Sequence, residues 1–120
     1  MGSLSFEKAK RLLTPAHFER VFSDAIPAVS PQITALARHN TLTHARLGIT
    51  ISKKRVKLAK DRNRLKRILR EYFRHNCASL PNIDIIIIAK SGIADLSNQQ
   101  IYECLDNLWR KLKKRCATRS

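Results

Sequence analysis

The sequence predicts a single domain of the α+β class, and three observations carry that prediction. Its 120 residues suit one domain able to bury one real core. Three segments between residues 32 and 92 are apolar over strand-like lengths and are bounded by turn residues. Before and after them lie stretches whose apolar residues recur at helical spacing.

The first element is announced by "LLTPAHFERVF". Thr14 suits a helix cap and Pro15 the first helical position, where its missing N–H costs nothing. Phe18, Val21 and Phe22 then follow at i, i+3 and i+4. "AIPAVSP" contains two prolines and predicts a turn or an edge strand. Residues 32–39, "QITALARH", form the next expected strand. After the turn residues of "NTLTH", residues 45–52 place Leu47, Ile49 and Ile51 on one face. These two strands are expected to pair antiparallel across that loop. The clearest strand lies within "PNIDIIIIAKSG", residues 81–92, whose unbroken isoleucines at 85–88 suit a central strand covered on both faces. A capping box of Ser97 and Gln100 opens the last helix. Ile101, Leu105, Leu108 and Leu112 share one of its faces, with Cys104 and Trp109 beside it, and it is expected to end near Arg115.

Charge sorts the possible functions. There are 24 Lys and Arg against 9 Asp and Glu, a net of +15. Residues 53–74 hold eleven basic residues and two acids, and residues 110–120 hold six basic residues and no acid. Those two segments carry the entire excess, the footprint of a nucleic-acid binder. A membrane-surface helix would need an exposed apolar face, and no apolar run reaches membrane-spanning length. Cys77, Cys104 and Cys116 are odd in number and widely spaced, which argues against a disulfide framework or a zinc site and for thiols in a reducing cytoplasm.

The basic helix, expected over about residues 57–75, divides by its own geometry. At 100° per residue Leu58, Leu65, Ile68, Leu69 and Tyr72 form one stripe, with Phe73 on its border. Asn63, Arg67, Arg70 and Arg74 gather opposite, Lys60 and Lys66 flank them, and Arg62 and Arg64 sit on the two boundaries. Burying each large apolar side chain contributes about 1.5–3 kcal/mol. Like-charge i, i+4 pairs such as Lys66–Arg70 cost only about 0.2–0.5 kcal/mol each. Core formation wins, and the remaining repulsion favours an anionic partner. Arginine supplies most of that face, and its planar fork suits phosphate.

Nothing in the chain predicts a protein active site or a resident metal. His17, His39, His44 and His75 have no metal spacing and no partner nucleophile. Asp61, Glu71, Asp84 and Asp95 show no paired-carboxylate pattern of the kind a protein nuclease needs.

The stretch "RLGITISKKRVKLAKDRNRLKRILREYFR" resembles the bacterial ribonuclease P protein component. That family carries an Arg-Asn-Arg motif in a basic helix, after a strand that ends in Ser-Lys-Lys. Here the two blocks are Arg62-Asn63-Arg64 and Ser52-Lys53-Lys54. "RLLTPAHFERVF" is similar to the family's first helix and "DIIIIAKSGIADL" to its last strand and turn. The resemblance implies a single-domain α/β sandwich, a small mixed sheet packed with helices. It also implies a left-handed βαβ crossover, the ribosomal protein S5 domain 2-like fold. It implies a noncatalytic protein subunit that binds the catalytic ribonuclease P RNA and the 5′ leader of precursor tRNA. Mg²⁺, held mainly by that RNA, would support hydrolysis. By resemblance Arg62, Asn63, Arg64, Lys66, Arg67 and Arg70 contact RNA, and Phe18, Phe22, Lys53 and Lys54 line or border the leader cleft. Where many relatives carry a tyrosine facing that cleft, this chain has Leu36, and Lys90 stands where arginine is frequent. The protein is expected in the cytoplasm and, without RNA, as a monomer. The alternative is a structural RNA-binding protein of ribosomal type, which the basic helix alone would equally permit. A DNA-binding reading lacks a helix-turn-helix partner or a heptad pattern.

Overall fold

The computed structural model describes residues 15–42 and 44–118, in which three helices cover a four-stranded sheet. In chain order these are α1 (Pro15–Ser23), β1 (Ile26–Val29), β2 (Ile33–His39), β3 (Arg46–Thr50), α2 (Ala59–Asn76), β4 (Ile83–Ala89) and α3 (Asn98–Thr118). The expected Thr14 cap lies outside the described residues.

The strands lie in the order β1-β2-β4-β3. β1–β2 and β2–β4 are antiparallel, and β3–β4 is parallel, with α2 in the connection between β3 and β4. The mixed α+β class therefore holds. The expected antiparallel pairing of β2 with β3 is corrected, because β4 lies between them. The reason is apolar. Ile83, Ile85, Ile86 and Ile87 are each at most 1% exposed, and only a central strand can be covered on both faces. The stretch around Pro27 is the edge strand β1, where a missing N–H breaks no ladder.

Alternation assigns the two faces. Ile33, Ala35, Ala37, Leu47, Ile83, Ile85, Ile87 and Ala89 meet α2 and α3 in the main core. On the other face Ile86 joins Val21 of α1, with Phe18, Leu36 and Ile88 packed against the pair.

The capping box forms as expected. The Gln100 amide donates to Ser97 Oγ at 3.1 Å, and the Ser97 amide donates to Gln100 Oε1 at 2.9 Å. Ile101, Leu105, Leu108 and Leu112 of α3 are all buried, and the helix continues through Thr118 rather than ending near Arg115. Trp109 meets the Tyr72 ring edge-on with centroids 4.9 Å apart. Tyr72 donates its hydroxyl to Asp106 Oδ1 at 2.5 Å; burial and that carboxylate both push its pKa well above the usual range.

Candidate nucleic-acid interface

α2 keeps its apolar stripe inward at Leu65, Ile68, Leu69, Tyr72 and Phe73. Phe73, expected on the border, is fully buried. Leu58 departs from the expected stripe and is 54% exposed. It is the residue before the first helical turn, with φ −87° and ψ 133°, so the helical period does not reach it.

The six α2 residues proposed for RNA divide into two kinds. Asn63, Arg67 and Arg70 are exposed, with Lys66 half-buried beside them. Arg67 and Arg70 make no hydrogen bond or ion pair among the described residues. Arg62 and Arg64 are half-buried and hold the fold as well. Arg62 Nη1 donates to the carbonyls of Val56 and Lys57, both at 2.9 Å, tying the incoming turn to the helix start. Arg64 Nη2 reaches the Leu96 carbonyl at 2.9 Å and Asn98 Oδ1 at 2.8 Å, joining α2 to the start of α3. Their boundary positions on the helix allow this, since each arginine leans to a different side. Arg74 on the same face pairs with Glu71 at 2.5 Å, which holds the Glu71 carboxyl below its usual range. Among the described residues the α2 cations without a hydrogen bond or ion pair are therefore Lys60 at its start and Lys66, Arg67 and Arg70 at its middle.

Phe18 and Phe22 lie on the opposite side of the sheet. Phe18 is half-buried against Leu36, Ile86 and Ile88, while Phe22 is 49% exposed. Helical spacing alone could not separate these two fates. Phe22 offers a ring to solvent one helical turn after Phe18, and an unpaired base can stack on such a ring. Leu36 gives that side of the sheet an aliphatic floor.

Lys53 and Lys54 are exposed in the turn between β3 and α2. The Ser52 carbonyl accepts from the Arg55 amide at 3.2 Å and the Val56 amide at 3.0 Å, and Val56 is buried. This anchored turn carries its lysines from the end of β3 to the start of α2.

One charged group has no local signature of a site in the sequence. Asp84 is 2% exposed on the α1 face of β4, in register with Arg38 and Arg46. Arg46 grips it with Nε to Oδ1 at 2.9 Å and Nη2 to Oδ2 at 2.8 Å, and Asn40 Nδ2 donates to Oδ1 at 2.8 Å. Burial pushes the Asp84 carboxyl up, but the Arg46 and Asn40 hydrogen bonds more than reverse it and leave it below its usual range. Both oxygens are thereby committed. Among the described residues no three of His, Cys, Asp and Glu converge as a metal site. The donor set does not fit a resident Mg²⁺, which favours clustered carboxylates and phosphate oxygens. No helix among the described residues is long and apolar enough to cross a membrane.

Comparison with known proteins fits this architecture. The family model described as Ribonuclease P matches residues 6–113. The ribonuclease P protein component of Pseudoalteromonas atlantica is 60% identical over 97% of each chain. That of Histophilus somni is 50% identical over 92% of this chain and 93% of its own. Among solved structures, the RNase P protein of Staphylococcus aureus superposes with a TM-score of 0.82 at 31% identity, covering 88% of this chain and 99% of the other. The RNase P protein from Thermotoga maritima gives 0.73 at 28% identity, over 87% and 96%.

Proposed function

The chain belongs to the bacterial ribonuclease P protein family and is a subunit of ribonuclease P in tRNA 5′ processing, and we propose how its two faces divide that work. α2 docks the catalytic RNA through Arg62, Asn63, Arg64, Lys66, Arg67 and Arg70. The α1 face takes the single-stranded leader of precursor tRNA through Phe18 and Phe22, with Lys53 and Lys54 at its border. The observation that carries this reading is the pairing of an exposed Phe22 ring with a cationic helix on the far side of the same sheet.

Aromatic stacking tolerates any base, as a leader whose sequence varies among tRNAs requires. Arginine forks meet phosphates, and release of their counterions drives binding. The protein supplies binding and position but no nucleophile or general base. Hydrolysis would fall to the RNA with Mg²⁺ as its cofactor, since phosphate oxygens are hard ligands that would suit this ion. Cytoplasmic location and a monomeric state before RNA binds complete the proposal, as does a single domain over residues 1–120.

Phe22→Ala tests the leader assignment. It is expected to lower the preference for precursor over mature tRNA by about 5- to 150-fold, the equivalent of about 1–3 kcal/mol for one stacked base. Thermal stability should change little, because the ring is already half in solvent. A preference equal to wild type would remove Phe22 from the cleft.

A further inference from the structure

By strand alternation Leu36 and Arg38 share the α1 face of β2, two residues or about 7 Å apart. This row leads from the apolar cleft to a pocket of about 290 Å³ at the C-terminal end of α1, lined by Arg20, Asp24, Ile26, Arg38 and His39. The leader contacts above include none of these residues.

Arg38 is held in place before any ligand arrives. Its Nη1 donates to the Arg20 carbonyl at 2.7 Å and to Ser23 Oγ at 3.1 Å, an arginine closing the end of a helix. Its Nε and Nη2 have no protein partner among the described residues. Neither the Arg20 guanidinium nor the His39 ring makes a hydrogen bond among those residues. The neighbouring Asp84 is matched by Arg46 and Asn40 and leaves no net charge to oppose an incoming anion. Two guanidiniums against the one Asp24 carboxylate leave the Lys, Arg, Asp and Glu residues of the lining with a net of +1. That value matches one phosphodiester.

We propose that the Arg20–Arg38 pocket is a phosphate subsite that receives one backbone phosphate of the single-stranded leader beyond Phe22. The proposal rests on the leader-cleft reading above. It gives Arg38 a second task after helix capping, and it gives Arg20 a second task beside its charge attraction to the Asp84 carboxylate.

The test uses protein reconstituted with the catalytic RNA and precursor tRNAs whose leaders are either one or two or about ten nucleotides long. Arg20→Gln is the informative variant, because that side chain has no hydrogen bond in the fold to lose. It is expected to reduce the affinity advantage of the long leader about three- to tenfold. The log–log salt slope for the long-leader precursor should fall by about 0.7, one phosphate on a single strand. If Arg20→Gln keeps the full advantage while Phe22→Ala loses it, the subsite is wrong and the cleft stands. If both variants keep it, both readings fail. An equal loss of affinity for the catalytic RNA without precursor would overturn the assignment to the leader.

Discussion

Asp84→Ala is expected to destabilise the protein by about 3 kcal/mol, a fall of roughly 12 °C in Tm for a chain of this size. The variant leaves the Arg46 guanidinium beside an apolar sheet with neither carboxylate oxygen to accept its two hydrogen bonds. Breaking a buried pair costs about 3–5 kcal/mol, and the lower value applies because the Arg46 side chain retains 13% exposure. Asn40 Nδ2 also loses the shorter of its two hydrogen bonds and keeps only the His44 carbonyl. The same pair gives a pH signature. The folded Asp84 carboxyl lies below its unfolded value of about 3.9, so its contribution is complete above that pH and is lost as pH falls through the folded value. Asp84→Asn should therefore show a shallower loss of stability below about pH 4 than wild type. Urea denaturation across pH 2–7 measures both effects. Equal stability of Asp84→Ala and wild type at pH 7 would contradict the account.

Replacing Arg67 and Arg70 together by alanine is expected to weaken binding to the catalytic RNA on the order of tenfold at physiological salt. The log–log salt slope should fall by about 1.4–1.8, two phosphates at about 0.7–0.9 each. Neither side chain has a protein partner among the described residues, so no fold contact is lost. Removing Arg70 also relieves its i, i+4 repulsion with Lys66 and Arg74, by about 0.2–0.5 kcal/mol each. The double variant should be at least as stable as wild type while binding RNA less well. Arg64→Ala would behave differently, because it also cuts the links to Leu96 and Asn98. Filter binding or fluorescence titration over a range of KCl concentrations, beside a thermal melt, separates the two behaviours. An unchanged salt slope in the double variant would show that this face does not meet phosphate.

Local chemistry was the part of the fold most open to sequence reasoning. The Ser97–Gln100 box, the edge position of the Pro27 strand and the buried stripe from Leu65 to Tyr72 each depend on neighbours within a few residues. Strand pairing does not. The insertion of β4 between β2 and β3 is a choice between partners far apart in the chain, and the loop joining β2 to β3 suggests the wrong one. Leu58 misled because a helical period was extended across a boundary that no side-chain cap marks.

The interface was legible in its residue types and less so in their roles. The sequence located the cations of α2 but could not show Arg62 and Arg64 bonded to backbone carbonyls. Phe18 and Phe22 share one helical spacing, yet Phe18 packs against the Val21–Ile86 pair and Phe22 is half in solvent. Asp84 was visible only as a solitary acid. Its partners Asn40 and Arg46 come from other parts of the sequence, and the sheet register unites all three.

The central claim is that this protein assists an RNA-catalysed cleavage by binding the catalytic RNA and the leader. Single-turnover 5′ cleavage of a precursor tRNA at low Mg²⁺ tests it most directly, with the catalytic RNA alone, the protein alone, and both together. The account predicts strong enhancement in the mixture over the RNA alone, and no cleavage by the protein alone. A mixture no faster than the RNA, or cleavage by the protein without RNA, would contradict it.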